Sequence, residues 1–172
     1  MVLSMDDLNQ LDKDQFVHEL GDVFEHSPWV AKKAVAFRTF SSLQALHQRM
    51  VEIVNNAPFE EQLELIRAHP NLGEKIEMSD DSTKEQQGAG LQNLTVEEYN
   101  SFQSLNKAYM EKFGFPFIFA VKGKNKHDIH DAMKKRVNHT EEEEFETALS
   151  EIYKIALFRL QAKIAEDDVR GV

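Results

Sequence analysis

"TVEEYNSFQSLNKAYMEKFG", Thr95 to Gly114, decides the fold. Thr95 and Glu98 stand three residues apart ahead of an apolar-periodic run, the spacing at which a hydroxyl and a carboxylate each bond the other's backbone N–H. Phe102, Leu105, Tyr109 and Phe113 then recur at steps of three and four, which lays one apolar face along a helix. Gly114 supplies the stop, because glycine enters the left-handed conformation that ends helices. The same grammar recurs on both sides. Ser27-Pro28 reads as an N-cap with proline in the first turn, and Ser41…Gln44 and Thr140…Glu143 fit the capping box. Helices are predicted at 5–10, 13–25, 28–37, 42–56, 58–68, 83–89, 96–113, 126–138 and 141–165. Phe16, Leu20, Val23 and Phe24 share one face, as do Leu43, Leu46, Met50 and Ile53. The expected fold is all-α, a single-domain bundle of about eight or nine helices with one short extended segment near 115–121.

With 172 residues, 41% of them hydrophobic, the chain builds one real core and is short for two. Residues 1–166 are read as the domain, and 167–172, within "AEDDVRGV", as a tail or the start of a linker. Thirty acidic residues against twenty basic ones give a net charge of −10, with no basic block to bind a phosphate backbone, so nucleic acid is a poor partner. No apolar run approaches the roughly 18–20 residues of a membrane span, and "MVLSMDDLNQLDKDQF" lacks the basic and apolar regions of an export signal. A soluble, cytoplasmic protein with no membrane partner is expected. The absence of cysteine removes disulfides, thiolate nucleophiles and cysteine-based metal sites.

The helical pattern breaks at "RAHPNLGEKIEMSDDSTKEQQGAGL", Arg67 to Leu91. Pro70 forces the preceding helix to end by His69, leaving an imidazole at a helix–loop junction. Such a residue either terminates a helix and nothing more, or faces a ligand. Ser82-Thr83-Lys84-Glu85 is itself a capping-box match. With Gln86 and Gln87 following, it also gathers free N–H groups, a carboxylate and two amides, the chemistry of a small anionic ligand site. Arg159 falls on the stripe of Leu149, Ile152 and Ala156, so its head either snorkels to water or requires a partner such as a substrate carboxylate or imide. "FGFPFIFAVKG", Phe113 to Gly123, has no helical period. Its backbone groups need partners outside a helix, and a ligand or neighbouring loops would serve. His127 and His130 share a helical face near Asp131, but two ligands do not make a metal site. Glu141–Glu144 reads as a macrodipole-favoured helix start.

"HPNLG", "STKEQQGAGL", "FGFPFIFAVKG" and "EIYKIALFRL", in this order, resemble the 2-oxo-4-hydroxy-4-carboxy-5-ureidoimidazoline (OHCU) decarboxylase family over roughly residues 5–165. The resemblance implies decarboxylation of OHCU to (S)-allantoin in urate degradation, an all-α fold, and no metal or organic cofactor. It matches His69 and Glu85 to catalytic positions. Pro70, Ser82, Thr83, Lys84, Glu85 and Gln86 match the pocket and substrate-binding turn, and Phe117, Ile118, Phe119, Ala120 and Val121 a segment whose backbone binds the ureido and ring amides. Arg159 matches an arginine on the last helix. A homodimer is implied, as is a covalent fusion to a C-terminal urate oxidase domain of the kind found in some bacilli. The competing reading is a non-catalytic acidic helical interaction module that docks partners through the phenylalanine-rich segment.

Overall fold

Where the apolar period is 3.6 residues, the chain is helical. Described residues are 2–71 and 94–165 of a computed structural model, and among them stand eight α-helices and no strand. In order these are α1 (Met5–Gln10), α2 (Lys13–Leu20), α3 (Trp29–Ala34) with a 3-10 turn Val35–Phe37, α4 (Leu43–Asn55), α5 (Phe59–Ala68), α6 (Val96–Phe113), α7 (Lys126–Arg136) and α8 (Glu141–Lys163). The all-α expectation therefore holds. The predicted helix at 83–89 and the tail 167–172 lie outside the described residues. No described helix is long and apolar enough to cross a membrane.

The caps explain most boundaries. Thr95 and Glu98 form the reciprocal box at α6, Thr140 and Glu143 form it at α8, and Gly114 closes α6 at φ 72° with its N–H on Met110 O. Two caps differ from expectation. Ser42, not Ser41, caps α4, its hydroxyl accepting from Ala45 N–H at 3.0 Å. Ser27 does not cap α3; its hydroxyl turns back to donate to Glu25 O at 2.8 Å, and α3 begins at Trp29. The predicted 13–25 helix stops at Leu20, because Gly21 follows and the chain continues in turns, Val23 N–H on Leu20 O and Ser27 N–H on Phe24 O. Aspartate boxes at Ser4–Asp7 and Asn125–Asp128 were not anticipated by a pattern that sought glutamate or glutamine at the third position.

Chain contacts divide the molecule into two compact units, Met1–Ala68 with Tyr153–Val172, and His69–Ile152. In the first, Phe16, Leu20, Val23, Phe24, Leu43, Leu46 and Met50 are buried as their periodicity predicts, and Val54 takes the place assigned to Ile53. Asn9 exchanges two 2.9 Å bonds with the Phe40 backbone, His47 Nε2 meets Tyr153 O at 2.8 Å, and Leu3 pairs with Ile164 in an isolated parallel bridge. Burial of the Tyr153 ring pushes its hydroxyl up to about 12.

The second unit contains α6, α7 and the first half of α8. The buried face of α6 is Phe102, Asn106, Tyr109 and Phe113; Asn106 replaces the expected Leu105 and brings a buried Oδ1 with no partner among the described residues. Glu144 of α8 is fully buried. Its Oε2 accepts from Tyr109 OH at 2.5 Å and from Arg136 Nε at 2.8 Å, with Arg136 Nη2 on the same oxygen, while His139 Nδ1 lies 3.1 Å from Oε1. Burial, followed by the bond to Glu144, holds the Tyr109 hydroxyl well above the usual phenol range. The run Glu141–Glu144 opens α8 as its macrodipole reading expects; three of the four are exposed, and the fourth, Glu144, faces inward and ties α6, α7 and α8 together.

Breaking a buried ion pair leaves the surviving charge uncompensated, so Arg136→Met should lower the free energy of unfolding by roughly 3–5 kcal/mol in urea titrations. A loss below about 1 kcal/mol would show that Tyr109 and His139 suffice for Glu144. At the start of α6, Lys126 Nζ lies 2.8 Å from Glu98 Oε1. That bond, with the Thr95 backbone N–H, holds the Glu98 carboxyl at about 2 against an ordinary 4.5. A depressed folded-state value gives stability that is present above 4.5 and is lost as pH falls toward 2. Glu98→Gln should therefore flatten the decline of melting temperature with acid in that window; an unchanged acid limb would contradict the assignment.

Candidate functional site

Gly114 and Pro116 create the extended segment. The glycine turns the chain out of α6, and the proline bars its predecessor from the helical region. Residues 116–121 then run without regular secondary structure, with Phe115, Phe117, Ile118 and Ala120 buried and Phe119 and Val121 half-buried. The aromatic side chains form one cluster. The Tyr109 ring lies 4.6 Å from Phe113 and 5.3 Å, edge-on, from Phe117. Phe117 and Phe119 stack at 6.0 Å and 19°, as residues two apart do on one side of an extended chain.

The protein supplies part of the bonding this backbone requires. Arg136 Nη1 donates to Ile118 O at 2.7 Å, and its guanidinium lies 4.3 Å over the Phe117 ring. Ala120 N–H donates to Glu151 Oε1 at 2.9 Å. For these two groups the partner is neither of the alternatives that the sequence left open, ligand or neighbouring loop: buried side chains of α7 and α8 serve. Neither Arg136 nor Glu151 was singled out from sequence. The signal available was a charged residue on an apolar helical stripe, since Glu144, Ala148 and Glu151 share one face.

His69 follows directly after α5, is 6% exposed and belongs to the same unit as the extended segment, while Pro70 beside it is exposed. Ser82, Thr83, Lys84, Glu85 and Gln86 lie outside the described residues. Arg159 belongs to the other unit. There it pairs with Glu25 at 2.8 Å and donates to the carbonyls of Asp22 and Val23 at 3.2 and 3.3 Å. The turn after α2 thus brings this guanidinium a carboxylate and two carbonyls, protein partners that the stripe did not point to. Its head is 29% exposed, so the stripe of Leu149, Ile152 and Ala156 passes on to Leu160 and not to Arg159.

A separate cleft of about 260 Å³ lies between the starts of α6 and α7, lined by Glu98, Ser101, Phe102, Lys126 and His130 among others. His130 is half-buried: its Nε2 lies 2.6 Å from Ser101 Oγ, and its ring meets the Phe102 ring edge-on at 5.1 Å. Among the described residues no group of three or more potential ligands could hold a metal ion.

Comparison with known proteins adds the lineage. The family described as OHCU decarboxylase matches residues 9–161. The chain is 53% identical over 165 residues to the "Uric acid degradation bifunctional protein PucL" of Bacillus subtilis, covering 96% of this chain and 33% of that protein. It is 50% identical over 159 residues to a 2-oxo-4-hydroxy-4-carboxy-5-ureidoimidazoline decarboxylase of Halalkalicoccus jeotgali, covering 92% and 90%. A crystal structure of (S)-allantoin synthase superposes with a TM-score of 0.78 at 35% identity, covering 94% of this chain and 54% of that one. The chain thus spans about a third of the Bacillus subtilis relative and nearly all of the Halalkalicoccus jeotgali one. By the family match and these identities, the chain belongs to the OHCU decarboxylase family.

Proposed function

We propose that this chain decarboxylates OHCU to (S)-allantoin and CO2 in urate degradation. The observation that carries the reading is the family match across 9–161, supported by a 50% identical relative of nearly the same length that bears that name. A buried histidine closing α5, in one unit with a clamped extended segment, fits it.

The substrate carries its own electron sink. As the bond from ring C4 to the carboxylate breaks, the electron pair moves toward the adjacent C=N bond, and CO2 leaves. The ring nitrogen that receives the pair takes a proton, the 4-hydroxyl gives one up, and C5 gains one on a single face, which completes the product. This work needs a placed acid and base, and His69 and Glu85 are assigned to it. An unperturbed imidazole titrates near ~6.5 and exchanges protons at neutral pH. Pro70, Ser82, Thr83, Lys84 and Gln86 are assigned to the pocket, with the backbone of Phe117–Val121. A guanidinium has five N–H donors, so Arg159 can hold Glu25 and still offer donors to an anionic ligand. No metal or organic cofactor enters this scheme.

The same reading takes residues 1–166 as the catalytic domain, a homodimer as the working form, the cytoplasm as its place, and 167–172 as dispensable. The bifunctional bacillar relatives motivate a covalent fusion to a urate oxidase domain. Sedimentation of the purified protein tests the dimer.

Two substitutions test the chemistry in an assay that generates OHCU from urate and follows its loss by absorbance. His69→Asn should reduce the acceleration at least about a hundredfold with helicity unchanged; near wild-type turnover would remove His69 from the mechanism. Glu85→Gln keeps most capping geometry, so stability should move by no more than about 0.5–2 kcal/mol while the rate collapses. Full activity with a lowered melting temperature would make Glu85 a cap and not a catalyst, and an inactive wild type would favour an interaction module.

A further inference from the structure

An extended backbone has two edges. The N–H and C=O of a given residue point to one side and those of its neighbours to the other, so groups two residues apart share an edge. The 6.0 Å stack of Phe117 on Phe119 shows this pleat in the segment. Ile118 C=O and Ala120 N–H therefore lie on one edge, and both are taken: the first by Arg136 at 2.7 Å, the second by Glu151 at 2.9 Å. The N–H and C=O of Phe119 point to the other edge and form no hydrogen bond among the described residues.

The two clamps have a common origin. Glu144, Ala148 and Glu151 follow one another at four and three residues on α8, and all three are buried. Glu144 holds Arg136, and Arg136 holds Ile118 O; Glu151 holds Ala120 N directly. Small Ala148 lies between the two carboxylates. Burying two carboxylates on one helical face opposes folding unless each gains strong donors. The arrangement spends that free energy on fixing where one short stretch of backbone sits.

We infer that Arg136 and Glu151 are positioning residues that fix one edge of the Phe117–Val121 segment, so that the opposite edge presents the N–H and C=O of Phe119 to a ligand of amide or ureido character. This rests on the functional reading above, which assigns the segment to substrate. Adjacent donor and acceptor on one residue match the donor–acceptor pair of a cyclic or linear urea. The clamp sets their direction before the ligand arrives, which reduces the ordering cost of binding.

Glu151 gives the test, in the intact protein, with Ala120 amide exchange read by NMR and steady-state kinetics on enzymatically generated OHCU. Glu151→Met should speed Ala120 exchange and raise KM about tenfold, with kcat changed less than about threefold, because binding geometry is lost and the reacting groups are untouched. Glu151→Gln keeps an oxygen for the Ala120 N–H and should restore KM to near wild type. Should Glu151→Met fail to fold, Glu151→Asp replaces it: the shortened carboxylate falls short of Ala120, so exchange and KM should rise while Gln leaves both in place. An active wild type whose KM does not move in the Met or Asp variant overturns the positioning role alone. A fall in kcat shared by Met and Gln at constant KM also overturns it, since the carboxylate would then act in the chemistry. An inactive wild type overturns the functional reading and with it the ligand role of the free edge, leaving Ala120 exchange to judge the clamp by itself.

Discussion

A carboxylate with no exposed surface must collect donors or lose its charge, and Glu144 collects them from two other helices and the turn before its own. Tyr109 reaches it from α6, Arg136 from the end of α7, and His139 from the turn before α8. Much of the second unit follows from this. Because Arg136 is committed to Glu144 through Nε and Nη2, its Nη1 has one direction left, and it points at Ile118 O. The aromatic cluster of Tyr109, Phe113, Phe115 and Phe117 then packs against a guanidinium whose place is already fixed.

That chain of constraints connects fold to function. A helical protein that needs to read an amide-rich ligand needs main-chain groups outside helices, and these are costly to bury unpaired. Here Gly114 and Pro116 break the helix, and charged side chains from α7 and α8 satisfy one side of the resulting segment. The proposed decarboxylation then asks little of the protein beyond orientation and proton transfer, because the substrate's own C=N bond receives the electron pair.

Much of this was legible in the chain. The helices with regular apolar period and threonine–glutamate boxes, α6 and α8, were placed to within a residue or two, and Gly114 and Pro116 marked the extended segment. Sequence and structure part where one residue type carries two meanings. Glutamates 141 to 144 look alike in sequence, yet only Glu144 faces inward, since the helical period sets that and the acidic run hides it. Arg159 was assigned by counting along a stripe, but Glu25 approaches it from a turn 134 positions earlier, a contact no local pattern encodes. Glu151 lies within a quoted motif and went unremarked, because its partner is a backbone N–H and backbone has no letter. His69 was found through Pro70, whose effect on its neighbour is local and therefore readable.

The central claim is that the chain itself directs the proton to one face of C5, and optical activity reports that directly. OHCU also decays without catalysis, giving allantoin of both hands. Generating OHCU from urate in the presence of the purified chain and following circular dichroism should show a signal of (S)-allantoin rising in step with OHCU loss, faster than the spontaneous decay. Allantoin that accumulates at the spontaneous rate with no dichroism would contradict the account.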